Sequence, residues 1–484
     1  MSTRIEKDTM GEMSVPAEAL WGATTQRAVE NFPISGRPVP APIIHAYGHL
    51  KAACAHVNLE LARLSKPRCE AIVAAAEEVA AGKHDAQFPI DVFQTGSGTS
   101  TNMNVNEVIA NLACKAAGKP IGSSKDPAYI GDPVHGSGVH PNDHVNMGQS
   151  SNDTFPTAIH IAAALEMHRK LLPALERLTI ALEEKSQAWD RVIKIGRTHL
   201  QDATPIRLGQ EFSGYAQQAR MSADRVRRAV HGLCELPIGG TAVGTGINAH
   251  EQFGSRVSAR LSHTLGLPFR EAANHFEAQH AKDAVVEAAG HLKTVAVSIS
   301  KIAGDIRLMG CGPRCGIGEL RIPAVQPGSS IMPGKVNPVI IEAVIMVCCR
   351  VIGNDACVTA AGLGGVGGIL DLHVAMPVMA EALLESIALL ERACIVFDRK
   401  LLQGLEADAE RCAALIEGSL AMCTSLVPAI GYDASAALAK DAFKQGKTVR
   451  QLALERNLLP PHQLDTLLDP WAMTLPGGEG SAGG

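Results

Sequence analysis

At 484 residues and 46% hydrophobic content, the chain exceeds one typical domain, can bury a substantial core, and by length allows about three domains. A net charge of −5 and a pI near 6.4 exclude a broad nucleic-acid surface, so any anion must be held by local positive features. Aromatic residues make up only 4%, and the dominance of Ala, Leu, Ile and Val suits tightly packed helices more than sheets.

The N-terminal Met1-Ser-Thr-Arg-Ile-Glu-Lys7 lacks the apolar run of a signal peptide, and no later run of about 18 uncharged apolar residues occurs. Export and membrane insertion are therefore not expected, and a cytoplasmic location is. Residues 1–148 read as a mixed helical N-terminal domain, with a helical stretch from Ile43 to Ala81 broken near Pro67. Gln94-Thr-Gly-Ser-Gly-Thr99 then feeds an apolar helical pattern reaching Ala117. Ser97 and Thr99 thus stand at a helix start, where free backbone N–H groups and the positive dipole end attract an anion. An ordinary N-cap accounts for one hydroxyl, but not for Ser97, Thr99, Ser100 and Thr101 together. Residues 118–139, rich in Gly, Pro, Ser and Asp, form an exposed excursion. His140-Pro-Asn-Asp-His144 follows, and in Gln149-Ser-Ser-Asn-Asp153 the residues Ser150, Ser151 and Asn152 repeat the polar loop before a helix, which runs on to Trp189.

Residues 149–404 read as a central long-helix bundle. Val285, Ala288, Leu292, Val295, Ile299, Ile302, Ile306 and Met309 recur in steps of three and four, and similar stripes run through Leu208, Phe212, Tyr215 and Ala219 and through Ile340, Val344, Val347 and Val351. Stripes this long exceed what one chain's bundle needs, which predicts helices shared between subunits of a homo-oligomer. Two interruptions stand out. Gly196 to Pro205 reads as a polar loop between two helices that presents Thr198 and His199; a lone His is more often a satisfied structural residue, and the balance turns to catalysis if it meets Glu342. Gly328-Ser-Ser-Ile-Met-Pro-Gly-Lys-Val-Asn-Pro338 packs two hydroxyls, an ammonium and an amide into a loop stiffened by Pro and opened by Gly, so that Ser329, Ser330, Lys335 and Asn337 face one small anionic guest. Glu342 falls in the first turns of the next helix, placed to hold an imidazole and raise its basicity.

Residues 405–484 read as a small helical C-terminal domain whose tail, 477–484, is Gly-rich flexible linker. The cysteines, among them Cys54, Cys114, Cys348, Cys349 and Cys394, look like reduced core residues. Cys311 with Cys315, and Cys348 with Cys349, lack the second pair a zinc or iron–sulfur site needs, so no metal is expected. Gly362 to Gly368 lacks the strand and acidic residue of a dinucleotide site, and no cofactor is expected either.

Three hydroxyl clusters, one Lys, several Asn and a His–Glu pair suit a small polyanion whose C–H acidity is exploited. Removing a proton beside a carboxylate creates an enediolate-like dianion, which Lys335 and helix-start N–H groups are suited to stabilise. Ser329 serves as the base only if N–H groups of its loop stabilise its oxyanion. The His199–Glu342 pair then manages the proton of the departing group through water.

The loop from Gly328 to Pro338 resembles the signature of the fumarase/aspartase superfamily, and the resemblance covers residues 4–455. Within it the chain most resembles the class II fumarate hydratase family, on Glu6-Lys-Asp-Thr-Met-Gly11, Leu20-Trp-Gly-Ala23, Thr25-Gln-Arg27, Gly96-Ser-Gly-Thr99, His140-Pro-Asn-Asp143, Gln149 to Asp153, Gly196-Arg-Thr-His199 and Gly312 to Glu319. The resemblance implies a mainly α, three-domain fold whose central long helices form a twenty-helix core in a homotetramer, with each active site shared among three chains. It implies metal-independent, reversible hydration of fumarate to (S)-malate through an aci-carboxylate. It makes Ser329 the base at malate C3 and pairs His199 with Glu342. Ser97, Thr99, Ser150, Ser151, Asn152, Thr198, Lys335 and Asn337 then hold the two carboxylates of a small dicarboxylate, and His140, Asn142 and Asp143 form a second dicarboxylate site. Ser137, Gly148, Leu370 to Met376 and Val427 depart from the family pattern. The alternatives are an aspartate ammonia-lyase, disfavoured by Ser151 and Gly334, and a non-catalytic relative on the same scaffold.

Overall fold

The structure is a computed structural model that describes residues 2–132 and 136–476; the Gly-rich tail at 477–484 lies outside the described residues. Helices dominate, and every sheet among the described residues has only two strands. Two compact units make up the chain, each assembled from three segments. One comprises Met1–Pro173, Asp224–Ala296 and Cys348–Glu391; the other comprises Ala174–Ala223, Val297–Val347 and Arg392–Gly484.

In the first unit the chain opens on an antiparallel hairpin, Thr3–Asp8 with Gly11–Pro16, which the sequence pattern did not signal. The helices Ala41–Glu60 and Lys66–Ala80 pack against each other, with the interruption set by Pro67 at the start of the second. Helices Thr99–Ala116 and Ser151–Glu166 are buried around most of their circumference. Burial of that kind makes their N-terminal loops rigid platforms. The excursion at 118–139 contains short helical turns at Ser123–Lys125 and Pro127–Ile130.

The second unit has a C-terminal core of Ile416, Met422, Leu426, Leu438, Ala442, Val449, Leu452, Ala453, Leu464 and Leu468. Its other main feature corrects an expectation: Gly196 to Pro205 is not a loop between helices but the distal part of a β-hairpin, Ile193–Thr198 paired with Gln201–Arg207. His199 and Leu200 form its two-residue tip, with φ of 55° and 60°. Both signs match the turn that suits the twist of a hairpin, though Asn and Gly are its usual occupants. A non-Gly pair held there stores local strain, as functional tips do.

The long helices are Leu208–Leu233, Asp283–Met309, Val339–Gly362 and Met376–Val396. All eight positions of the expected stripe between Val285 and Met309 are buried. In Val339–Gly362 the buried line is Ile341, Val344, Cys348, Val351 and Val358, one residue off the expected start, with Ile340 and Val347 only half-buried. Met346, 66% exposed, lies on the opposite side with Cys349, which is solvent-exposed and not a core residue, while Ile352, also exposed, flanks the buried line. No single helix among the described residues is long and apolar enough to cross a membrane.

Candidate active site

Two groups of predicted residues are each gathered by their own unit. In the first, Thr99 Oγ1 lies 2.9 Å from Ser97 Oγ and 2.7 Å from Ser151 Oγ, which joins the starts of helices Thr99–Ala116 and Ser151–Glu166. Ser97 and Ser151 are buried and Thr99 is exposed, so the hydroxyls line a cradle open on one side. Glycine is obligatory beneath them. Gly98 has φ of 73°, and a Cβ there would meet the Phe155 ring at 2.1 Å; a Cβ on Gly96 would meet the Val374 carbonyl at 1.6 Å.

Ser150 is the N-cap of its helix. Its Oγ accepts the Asn152 N–H at 3.2 Å while Asp153 Oδ1 accepts the Ser150 N–H at 2.9 Å, a capping box. The oxygen is thus partly committed to the cap, and the hydroxyl proton remains to donate. Asn152 Nδ2 donates to the Ala242 carbonyl at 2.7 Å. Asp153 Oδ2 accepts the N–H groups of Thr241 (2.9 Å) and Gly239 (3.2 Å), and burial pushes its pKa up to about 6. The Gly239–Ala242 segment therefore braces the cradle, a role for which its sequence carried no distinguishing signal. Lys51 was missed as well. It sits fully buried in helix Ala41–Glu60 and donates to Asn102, Asn146 and Gln149. Its signal was a lone charge four residues from Tyr47 on an apolar helix.

His140, Asn142 and Asp143 share one tight turn, with Pro141–Val145 in π-helical form. His140 Nδ1 accepts the N–H groups of Asn142 (3.2 Å) and Asp143 (3.1 Å), so the ring proton resides on Nε2, and burial holds its pKa below the usual value. Asn142 and Asp143 are exposed, and Asp143 borders a cleft of about 970 Å³ that Arg63, Lys66 and Arg68 also line.

In the second unit the segment from Gly328 to Pro338 folds back on itself. Gly328 N donates to the Lys335 carbonyl at 2.8 Å, and Asn337 Nδ2 donates to the Gly328 carbonyl at 2.5 Å. A Cβ on Gly328 would strike that Lys335 oxygen at 2.4 Å. Ser329 Oγ accepts two backbone N–H groups, from Ile331 at 3.2 Å and from Met332 at 3.0 Å. Hydrogen bonds to the charged form favour ionisation, so this is the environment a serine needs to act as a base. A cleft of about 460 Å³ is lined by Pro327, Ser329, Met332 and Lys335, and Ser330 and Lys335 are exposed.

Thr198 and His199 are exposed at the hairpin tip, and Glu342 is exposed in the first turn of helix Val339–Gly362. Among the described residues of one chain, His199 and Glu342 form neither a hydrogen bond nor an ion pair with each other. Below the tip, Glu319, fully buried, accepts two hydrogen bonds from Arg197 at 2.9 and 3.0 Å and lies 3.3 Å from Lys194. This cluster links the hairpin to the segment that leads into the Ser329 loop. Among the described residues, no group of three or more His, Cys, Asp or Glu side chains is placed to hold a metal ion.

A family model described as lyase matches residues 11–353, and one described as fumarase C C-terminus matches residues 422–475. The class II fumarate hydratase of Mycobacterium tuberculosis (strain CDC 1551 / Oshkosh) is 53% identical over 97% of this chain and 96% of its own. The chain belongs to the class II fumarate hydratase family. This is a family of hydro-lyases. The Thermus thermophilus class II fumarate hydratase is 50% identical over 98% of this chain and 99% of its own. Among solved structures, the class II fumarase of Schistosoma mansoni superposes with a TM-score of 0.92 at 38% identity, over 99% of this chain and 100% of that one. The fumarate lyase:delta crystallin from Brucella melitensis bound to cobalt gives 0.91 at 43%, over 98% and 100%. The mainly α fold and the superfamily read from the sequence are thus borne out.

Proposed function

We propose that the chain catalyses the reversible, metal-independent hydration of fumarate to (S)-malate in the cytoplasm, as a step of the tricarboxylic acid cycle. The observation that carries the reading is the pair of N–H groups on Ser329 Oγ, which stabilises the oxyanion of a serine base. In the dehydration direction, ionised Ser329 Oγ takes the C3 proton of malate. The C–H electron pair moves into the adjoining carboxylate and forms an aci-carboxylate, whose charge Lys335 and the helix-start N–H groups offset. Collapse of that intermediate forms the double bond and expels the C2 hydroxyl, which leaves as water with a proton delivered from His199 through a bridging water. Glu342 orients His199.

In this reading Ser97, Thr99, Ser150, Ser151, Asn152, Thr198, Ser330 and Asn337 hold the carboxylates. Among the described residues of one chain His199 and Glu342 form no hydrogen bond or ion pair, so in this reading neighbouring chains bring them together. A homotetramer with sites shared among three chains supplies that pairing. The exposed apolar side chains of Met346 and Ile352 on helix Val339–Gly362 support such an assembly, since large apolar side chains left in solvent on a long helix call for a partner. His140, Asn142 and Asp143 would take a second dicarboxylate.

The test is absorbance in the fumarate band on mixing the purified chain with malate, with aspartate and mesaconate in parallel. Fumarate appears from malate, and no ammonia is released from aspartate. Ammonia release from aspartate with no absorbance change on malate would replace this reading with an aspartate ammonia-lyase.

A further inference from the structure

We propose that Lys51 is a positioning residue of the carboxylate cradle: its buried ammonium fastens the Ser97/Thr99 loop to the Ser150/Ser151 loop and supplies the positive charge that a dianionic substrate needs there. The inference rests on the reading of the cradle as the carboxylate site.

Lys51 has no exposed surface, and its Nζ donates to Asn102 Oδ1 at 2.8 Å, Gln149 Oε1 at 2.9 Å and Asn146 Oδ1 at 3.2 Å. All three of its protons are used. The partners come from both loops. Asn102 lies in the first turn of helix Thr99–Ala116, directly after Ser97 and Thr99, while Asn146 and Gln149 form the turn that ends at Ser150. Thr154, on the helix that Ser150 caps, shares its hydroxyl proton between the Ser150 carbonyl (2.8 Å) and Asn102 Oδ1 (3.2 Å). Moving Lys51 therefore moves both loops.

The charge is the less ordinary part. Each acceptor is a neutral amide, and among the described residues no carboxylate pairs with Nζ. The titratable groups that face it are Cys54 on its own helix and Asp153 on helix Ser151–Glu166, with the Tyr47 ring centroid 5.6 Å away. Both carboxylate oxygens of Asp153 are already taken by backbone N–H groups. A buried ammonium without a counter-ion carries a desolvation cost that a methionine of similar length would avoid. Burial accordingly pulls the Lys51 pKa down to about 7. A bound dianion removes that cost, because it places the missing negative charge beside the cation. The hydroxyls of Ser97, Thr99 and Ser151 bring none of their own, and each helix start contributes only about half a charge.

Two variants of the full chain test this. Lys51→Gln removes the charge but keeps two donors. Asn102→Asp keeps the hydrogen bond to Lys51 and neutralises it in place, so it decides the question if Lys51→Gln fails to fold. In either folded variant, KM for malate and for fumarate rises about tenfold or more with kcat within about threefold, the signature of lost uniform binding. The preference for succinate over its monoanionic half-amide, succinamate, measured as a ratio of inhibition constants, contracts about fivefold or more, because the two are nearly isosteric and the charge of the second carboxylate is what Lys51 would favour. A folded variant with wild-type KM, or with raised KM and an unchanged succinate-to-succinamate ratio, would overturn the proposal. A wild-type chain that neither turns over malate nor binds succinate would instead overturn the reading of the cradle.

Discussion

Glu319 is the residue whose removal disturbs the His199 hairpin from below. Its carboxylate has no exposed surface, accepts two hydrogen bonds from Arg197 and lies 3.3 Å from Lys194, itself 2% exposed. Among the described residues, Glu211, 3.1 Å from Lys194, is the one other carboxylate paired with that lysine. Glu319→Gln preserves shape and deletes the charge, which leaves the Arg197 guanidinium, 15% exposed, with no anion at its tip. Breaking a buried pair of this kind costs about 3–5 kcal/mol, far more than a surface bridge. A loss of that size lowers the thermal midpoint by several degrees. Arg197 is two residues from His199 in the same strand and turn, so the tip shifts with it, and a displacement near 1 Å reduces kcat/KM by about a hundredfold. Glu319→Asp, which keeps the charge, restores part of both. Scanning calorimetry and malate dehydration kinetics on the three proteins give the answer. A Glu319→Gln protein with unchanged midpoint and unchanged turnover would show that the cluster does not position His199.

If sites are built from several chains, His199→Asn and Ser329→Ala proteins, each nearly inactive alone, regain measurable turnover when unfolded and reassembled together; a mixture as inactive as its components refutes shared sites. His160 predicts acid sensitivity. It is buried, its Nδ1 donates to the Glu235 carbonyl at 2.7 Å, and burial lowers its pKa to about 4. A depressed histidine pKa means that the unfolded chain binds the proton more readily. Its stabilising contribution is therefore complete above about pH 6.5 and is lost as pH falls towards 4, amounting to about 3 kcal/mol. Urea unfolding midpoints measured across that window fall with pH for the wild type, and a His160→Gln protein shows a shallower fall; identical slopes contradict the assignment.

Most of the fold was legible because burial there follows a single period. The stripe from Val285 to Met309 is buried at every predicted position, since a long helix facing a core shows it in steps of three and four. The register slipped by one at Ile340 because helix Val339–Gly362 is apolar on nearly all sides, so its pattern does not mark a face. The hairpin carrying His199 was read as a loop because Lys194, a charged residue, takes a buried position in its first strand, and pairing with Glu319 across more than a hundred residues is what permits that. The same cause hid Lys51: a charge among Leu50, Ala53 and Cys54 reads as surface until its amide partners are seen in space. By contrast, the clusters Ser97/Thr99, Ser150/Ser151 and Ser329/Lys335/Asn337 were visible as hydroxyls and amides beside glycines. The glycines Gly96, Gly98 and Gly328 prove sterically obligatory.

The central claim is that Ser329, with the Ile331 and Met332 N–H groups on its oxygen, removes the proton from C3 of malate. The most direct test is the initial rate of fumarate formation by wild type and Ser329→Ala side by side, with sedimentation confirming the same assembly. The wild type is active and the variant loses about a thousandfold or more in kcat with KM little changed, as expected when a group acts only in the transition state. A Ser329→Ala protein within about tenfold of wild type, in the same assembly, would contradict the account.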